Sequence, residues 1–470
     1  MSARELTEYE EYSREVYDRK GTDAPKFQVK SGLTPEIIST ISDEKRDPDW
    51  MRAFRLQSLE IYERTALPTW GYPLDGLDMA NIVTYVRPDA RQSHDWDTVP
   101  DEIKNTFEAL GIPEAERTGL AGVGAQYDSE VVYHSIKQEV ADLGVVYTDM
   151  DSALRGEYAE MVREHFMKLL PATEHKFLAL HGAVWSGGSF VYVPDGVAVD
   201  IPLQSYFRFN AAGAGQFEHT LIILGKNASL HFIEGCSAPK YNVANLHAGC
   251  VELYVGEGSR LRYSTIENWS RNMYNLNSKR ATVERGGTIE WVSGSFGSHT
   301  SFLYPMSILR GDDARCEYTG ITFAGAGQEL DTGTQVAHIG RNTSSRISAK
   351  SISKNGGKST FRGGITVSEN AEGSRISVSC DSLMLDSESR SDTVPVIDVR
   401  CDDTDIGYEA KIGRISEQSI YYLMSRGLSE NDAKGMIVGG FAEPISKELP
   451  LEYAVEMNRL ISLEITGGVS

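Results

Sequence analysis

Thiols and carboxylates are the side chains of this sequence best suited to chemistry, and the thiols are few enough to place one by one. The cysteines are Cys236, Cys250, Cys316, Cys380 and Cys401. Their number is odd and none sits in a C-x-x-C, so neither a disulfide framework nor a preformed four-ligand zinc site is expected. Glu234-Gly-Cys236 closes an alternating run, Leu246-His247-Ala-Gly-Cys250 follows it, and Ser379-Cys380-Asp381 and Tyr408-Glu409-Ala410 come late in the chain. Thiolate and carboxylate together suit iron and sulfur: the thiolate binds iron or carries a persulfide, and the carboxylate completes the metal's coordination. Cys250, Cys316 and Cys401 read as small buried hydrophobes, and His247 as a satisfied polar core residue. There is no G-x-S-x-G elbow, no H-E-x-x-H and no G-x-x-x-x-G-K-[ST] loop, so no nucleotide is expected on this chain.

The elements that must position these residues are short strands. Small polar turns recur at Gly225-Lys-Asn-Ala-Ser, Gly256-Glu-Gly-Ser-Arg, Gly286-Gly-Thr, Gly311-Asp-Asp-Ala-Arg, Gly340-Arg-Asn-Thr-Ser and Asn370-Ala-Glu-Gly-Ser, each followed by an alternating strand. A degenerate period of this size with strands predicts a stacked parallel β-solenoid over residues 182–415. No strand is followed by an amphipathic crossover, which disfavours a doubly wound sheet; a β-sandwich is the other all-β reading.

Residues 1–30 are charged and aperiodic and read as a mobile arm. Residues 31–181 read as mainly helical. Thr34-Pro-Glu36 and Asp47-Pro48 open helices, Pro100-Asp-Glu opens another that Gly111 closes, and Ser129 to Leu143 and Thr148 to Leu170 complete the set. Residues 416–470 return to helix: Ser416 and Ser429 cap two, and Pro450 starts a last one with Leu451, Ala454, Val455, Ile461 and Ile465 near one face and Met457 and Leu460 to the side. Apolar stripes that a solenoid end cannot cover predict a partner-docking platform.

The net charge of −21 and the lack of a Lys/Arg cluster exclude a nucleic-acid binder. Apolar runs such as Leu221 to Leu224 are too short to span a bilayer, and the polar, acidic first residues resemble no targeting peptide. A cytoplasmic protein away from membranes is expected.

Longer motifs then point to a family. Ser31-Gly-Leu-Thr-Pro-Glu36, Asp47-Pro-Asp-Trp-Met-Arg52, Pro202-Leu-Gln-Ser-Tyr-Phe-Arg-Phe-Asn210, Glu234-Gly-Cys-Ser-Ala-Pro239, Tyr263-Ser-Thr-Ile-Glu-Asn-Trp269, Cys380-Asp-Ser-Leu383, Ser391-Asp-Thr-Val-Pro395 and Lys447-Glu-Leu-Pro-Leu-Glu-Tyr453 stand in fixed order. With them the chain resembles the SufB/SufD family of iron–sulfur cluster assembly proteins over nearly its whole length. The resemblance implies a right-handed parallel β-helix flanked by N-terminal helices and C-terminal helices that dock a SufC-like ATPase. It further implies a scaffold, not an enzyme, on which a transient iron–sulfur cluster is built and passed to apo-proteins.

Carried over by the resemblance, Cys236 accepts persulfide sulfur from a cysteine desulfurase or sulfur carrier, and Cys380 builds the cluster near an interface with a SufD-like paralogue or a second copy. Glu409 is the carboxylate beside Cys380. Arg208, Asn210, Glu267, Trp269 and Lys279 match positions on the route between the two thiols, where Arg208 and Lys279 are expected to lower thiol pKa values. A reduced flavin is compatible with the family but is not readable from these residues. Three departures stand out: Tyr408 replaces a frequent histidine, Glu267 a frequent glutamine, and an N-terminal cysteine cluster is absent. The rivals are a SufD-type structural paralogue, disfavoured by the presence of both thiols, and a solenoid polysaccharide-active enzyme, disfavoured by the lack of clustered strand carboxylates.

Overall fold

The computed structural model describes residues 18, 20–21, 24–90, 92–109, 120–448 and 451–466. Its centre is a β-solenoid of about 8 turns, and strand outweighs helix by 41% to 24%, so the chain is mainly β. Eight parallel strands, Ala198–Arg208, Ser229–Ser237, Arg260–Asn268, Thr288–Phe296, Arg315–Ala324, Ser344–Ser353, Ser374–Met384 and Thr404–Arg414, stack in register as the first sheet. The second sheet has a seam. Its middle coils run as Asn245–His247, Met273–Asn275 and Thr300–Leu303, then break before Cys250–Val255, Ser278–Val283 and Met306–Leu309. Both halves rejoin at Glu329–His338.

The recurrent turns have one cause. Asn227, Gly258, Gly286, Asp313, Asn342 and Gly373 all sit at positive φ, between 51° and 74°. Only glycine, asparagine and aspartate take this left-handed corner readily, which is why the motif conserves a residue class and not a residue. Each corner N–H donates to a carbonyl of the next coil, as Asn227 N to Glu257 O at 2.8 Å and Gly258 N to Arg285 O at 2.8 Å.

The N-terminal region departs from the helical expectation. Thr34 caps the helix Pro35–Lys45 as read, but the next helix, Asp49–Arg64, has no side-chain cap, because Asp47 turns inward to hold Arg55 Nε at 2.6 Å. Ser129 to Leu143 is not a helix: Glu130–Ile136 is a strand, antiparallel to Gly122–Tyr127 across a turn at Asp128, whose φ is 53°. The β-branched pair Val131-Val132 and the following Tyr133 suit a strand that extends the first sheet at one end. Thr148 to Leu170 likewise breaks into the end of a strand, Val146–Asp149, and two short helices, Met150–Arg155 and Ala159–His165, separated at Gly156. Within the stretch read as an arm, Phe27–Gln28 pairs with Val86–Arg87. Gly111 and Pro450 lie outside the described residues.

The C-terminal helices do not sit on the solenoid end. Glu417–Met424, Glu430–Ser446 and Leu451–Thr466 lie along the outer face of the first sheet, where Ile420, Val438, Ala442, Ile445, Met457, Leu460 and Ile461 pack on Ile233, Ile266, Val292, Phe296, Ile321 and Ile352. Ile461 and Ile465 of the expected stripe are buried, with Ala454 packed beside them, but Met457 and Leu460 share that buried face and Val455 is exposed. Removing residues from 416 onward would bare that sheet face, so point changes are the usable probes. Among the described residues, no helix is long and apolar enough to cross a membrane.

Met457→Ala is expected to lower stability by about 2–5 kcal/mol, as for other fully buried methionines cut to alanine. A shift of the urea midpoint towards lower denaturant, with Val455→Ala nearly neutral, checks it.

Candidate functional site

In-register parallel coils place equivalent side chains in single file, and four inward files of the first sheet define the interior. One is apolar: Val199, Leu230, Leu261, Ile289, Cys316, Ser345, Ile376 and Ile406. The next is largely aromatic and includes Phe232, Tyr263, Trp291 and Tyr318, and it ends at Tyr408. The third runs Glu234, Thr265, Ser293, Gly320, Ala349, Cys380. The fourth runs Cys236, Glu267, Ser295, Thr322, Ser351, Ser382. The last two are adjacent, small and hydroxyl-rich, with Cys236 at one end and Cys380 at the other. Ser351 Oγ donates to Ser382 Oγ at 2.8 Å, and the Cys380 thiol is hydrogen-bonded by Thr393 and Ser382.

At the Cys236 end the interior is ionic. Lys279 Nζ donates to Glu234 Oε1 at 2.7 Å and Thr265 Oγ1 at 2.9 Å, and Tyr263 hydrogen-bonds the other Glu234 oxygen. Asn275 bridges Glu267, at 2.9 Å, to His247 Nδ1, at 2.7 Å, and His247 Nε2 reaches Glu218 at 2.5 Å. Burial works against the charge of Lys279 and of His247, but Glu234 and Glu267 outweigh it for Lys279, and Glu218 and Asn275 for His247, so both pKa values are raised. Burial and then Glu234, Glu267 and Glu218 push the Cys236 thiol well up, with Lys279 opposing them only weakly. Cys380 is pushed up to about 11, by burial first. Between the two ends stands buried Tyr318, raised by burial and then by the charges of both Cys380 and Glu267.

The expected pKa lowering is thus not found. Arg208 pairs in register with Ser237, not Cys236, and donates to Ser237 Oγ at 3.0 Å, on the other side of the strand from the thiol. Lys279 is committed to Glu234. Nor is Cys236 reachable from outside: it is 1% exposed, among Phe207, Phe209, Trp269 and Met273.

Comparison with known proteins fixes the lineage. Residues 41–205 match the SufBD protein N-terminal region, and residues 207–441 match the SUF system FeS cluster assembly, SufBD core domain. The iron–sulfur cluster assembly protein SufB of Bacillus subtilis is 48% identical over 99% of this chain and all of its own. SufBD family proteins of Staphylococcus epidermidis and Staphylococcus aureus are 49% and 48% identical over 95% of this chain and 96% of theirs. The chain belongs to the SufBD family. Its role is in iron–sulfur cluster assembly, and the polysaccharide alternative falls away.

Of the residues singled out for a SufBD scaffold, Cys236, Glu267, Trp269 and Lys279 converge. Asn210 lies at the coil corner, where its backbone N–H donates to Asp128 and its Oδ1 accepts from Gly21. Cys380 and Glu409 do lie on adjacent strands, but Glu409 pairs in register with Ser379 and projects to the outer face, with Lys411 at 3.0 Å. In register Cys380 faces Ala410; Tyr408, on the same inward face but in register with Val378, shares Thr393 with Cys380, at 3.3 Å from the phenol. Sequence reasoning missed Glu218, Asn275, Tyr263 and the hydroxyl file. Their signal was present as one serine or threonine per coil, legible only once register was known. Two cavities meet at the seam of the second sheet. One of about 350 Å³ opens to solvent beside Trp70 and His175, and one of about 20 Å³ reaches Glu267, Thr265 and Ser293; Lys279, Asn277 and Tyr304 line both. Away from this interior, His181, His219 and Cys250 also come within metal-ligand reach of one another.

Glu267→Gln removes a negative charge in register with Cys236, so the Cys236 thiolate should form at lower pH, whereas Lys279→Met should move it to higher pH. Ultraviolet thiolate absorbance during alkaline titration, taken as the difference from the same protein carrying Cys236→Ser, checks this; an unmoved titration in Glu267→Gln defeats the electrostatic account.

Proposed function

We propose that the chain is a scaffold that receives sulfur at Cys236, builds a nascent iron–sulfur cluster at Cys380 and hands it to apo-proteins. The observation that supports this reading is the paired small and hydroxyl-bearing files joining the two thiols through the solenoid interior. Five strand spacings at about 4.8 Å separate them, about 24 Å, so a single thiolate attack cannot carry sulfur across. A mobile species makes the crossing instead. A neutral persulfide on Cys236 takes two electrons and one proton, its S–S bond breaks, and hydrosulfide leaves while the Cys236 thiol is restored. A reduced flavin would suit as electron donor. The cavity of about 20 Å³ beside Lys279 and Glu267 is of the size that holds one such small species, and the outer pocket offers a carrier its approach.

At the far end Cys380 supplies thiolate to iron. Tyr408, inward on the neighbouring strand and linked to Cys380 through Thr393, is the oxygen that the last strand turns to the interior, and Glu409 can join only after that strand turns its outer face towards a partner. Two or three ligands do not hold a cluster firmly, which suits transfer. The last strands, Arg390–Val399 and Thr404–Arg414, have no further neighbour among the described residues, and Val396, Ile397 and Ile412 are exposed there. An unpaired, apolar edge supports pairing with a SufD-like paralogue or a second copy. A SufC-like ATPase would dock on the C-terminal helices, where Tyr421, Tyr422, Met424 and Met436 remain exposed. Five free cysteines fit a reducing cytoplasm. Nothing here favours a SufD-type structural role over the scaffold.

Ala349→Leu fills the third file between the thiols. It should leave Cys236 persulfidation intact and suppress cluster formation at Cys380 by roughly tenfold or more, close to the loss in Cys380→Ser. Anaerobic reconstitution with a desulfurase, cysteine and iron, read by visible absorbance and Mössbauer spectra, tests it; full cluster yield in Ala349→Leu would remove the interior route, and full yield in Cys380→Ser the site itself. Tyr408→Phe and Glu409→Gln in the same assay separate the inward from the outward oxygen. Tyr421→Glu, on an exposed helix face, should abolish co-purification with the ATPase while leaving the urea midpoint unchanged.

A further inference from the structure

His219 and Cys250 occupy equivalent positions on adjacent parallel strands, so their side chains leave the second sheet on one face. The helix Lys176–Val184 lies over that face and brings His181 to them. One ligand atom from each of the three falls within 4.8 Å of the other two, and all three residues are fully buried. Phe166 stacks on the His219 ring with centroids 4.1 Å apart, and Trp185 stands at 6.2 Å, which keeps bulk water out.

The hydrogen bonds of the two rings do not close by themselves. His181 Nδ1 lies 2.9 Å from the Ala248 carbonyl, which can only accept, so Nδ1 carries the proton and Nε2 a lone pair. That lone pair faces His219 Nδ1 at 3.1 Å. His219 Nε2 in turn stands 3.2 Å from Glu252 Oε2 yet makes no hydrogen bond. The Glu252 carboxylate is fixed as an acceptor by the N–H groups of Met167 at 2.5 Å, Leu169 at 2.7 Å and Leu170 at 3.1 Å. A neutral His219 has one N–H for two acceptors. With the proton on Nδ1, its Nε2 lone pair opposes a carboxylate; with the proton on Nε2, two imidazole lone pairs oppose each other. Either tautomer needs one more positive charge.

We propose that His181, His219 and Cys250 form a structural zinc site that pins the helix Lys176–Val184 to the solenoid wall. His181 Nε2 and His219 Nδ1 are the nitrogen ligands. Two nitrogens at about 2.0–2.1 Å from a tetrahedral zinc stand about 3.3 Å apart, close to the separation found. Each ring then has its second N–H partnered, His181 by the Ala248 carbonyl and His219 by the Glu252 carboxylate, the outer-shell pattern that fixes tautomer and basicity at histidine–zinc sites. Binding releases the Cys250 proton, and the dication is balanced by one thiolate and the Glu252 carboxylate. Two imidazoles and a thiolate supply three of the four positions of a tetrahedral ion, a single bound water the fourth, and this donor set suits zinc over the oxygen-seeking ions. The ligands come from a helix and two successive coils, so no paired cysteine spacing announces them.

Full-length protein produced in zinc-supplemented medium should carry about one zinc per chain by inductively coupled plasma mass spectrometry. The content should persist when Cys236 and Cys380 are both changed to serine, and fall by about tenfold or more in Cys250→Ala. Growth with cobalt should give the wild-type protein the thiolate-to-cobalt charge-transfer and d–d bands of a four-coordinate site. That spectrum decides alone if circular dichroism shows Cys250→Ala to be misfolded. Zinc-free wild-type protein without the cobalt bands, undiminished zinc in folded Cys250→Ala, or iron at the same stoichiometry with the same dependence on Cys250 would each overturn the assignment.

Discussion

Parallel coils held in register force the side chain at any one position of a coil to stack on its counterparts about 4.8 Å above and below. Everything in this interior follows from that constraint. A residue type chosen for one coil becomes part of a file, so two adjacent files stay small and rich in hydroxyls while a neighbouring file stays large. The aromatic file that includes Phe232, Tyr263, Trp291 and Tyr318 does the packing, and the file from Glu267 through Ser295, Thr322 and Ser351 to Ser382 leaves room and polarity beside it. The left-handed corners at Asn227, Gly258, Gly286, Asp313, Asn342 and Gly373 keep the coils in phase, and a slipped register would scatter both files.

Burying charge in such a core is costly unless each ion has a partner, and the Cys236 end meets this with pairs. Lys279 sits against Glu234, and His247 against Glu218, with Asn275 joining Glu267 to the histidine. Burial first, and then the excess of acids over bases, pushes the pKa of the Cys236 thiol up. A thiol held neutral in a buried site is protected from casual oxidation. The seam in the second sheet matters for the same reason: it is where Lys279 meets both the inner cavity and the solvent-facing pocket.

The outer faces divide the remaining work. N-terminal helices cover the earlier coils of the second sheet and C-terminal helices cover part of the first, which buries the outer faces there, while the last strands stay exposed. Among the described residues, the last coil ends both sheets with no further strand beside it. Cys380 lies one strand inside that end, so the proposed cluster site borders the open end of the solenoid.

Much of this was legible in the sequence. The turn class repeated at each coil predicts the solenoid, because only a few residues tolerate positive φ; Thr34, Ser416 and Ser429 announce their helices through capping oxygens. The long motifs gave the family, and with it Cys236 and Cys380. The sequence read the strand Glu130–Ile136 as helix because its apolar cluster suits either period, and only pairing with Gly122–Tyr127 decides. It placed Met457 to the side of the last helix because the stripe facing the sheet is set by where the helix lies, not by its own composition. Direction was hidden most of all. Two residues one coil apart, Cys380 and Glu409, look like neighbours by spacing, yet a register offset of a single residue sends them to opposite faces of the strand pair. Spacing along the chain fixes which coil a side chain belongs to; only the tertiary register decides which way it points, because a strand reverses its face at every residue.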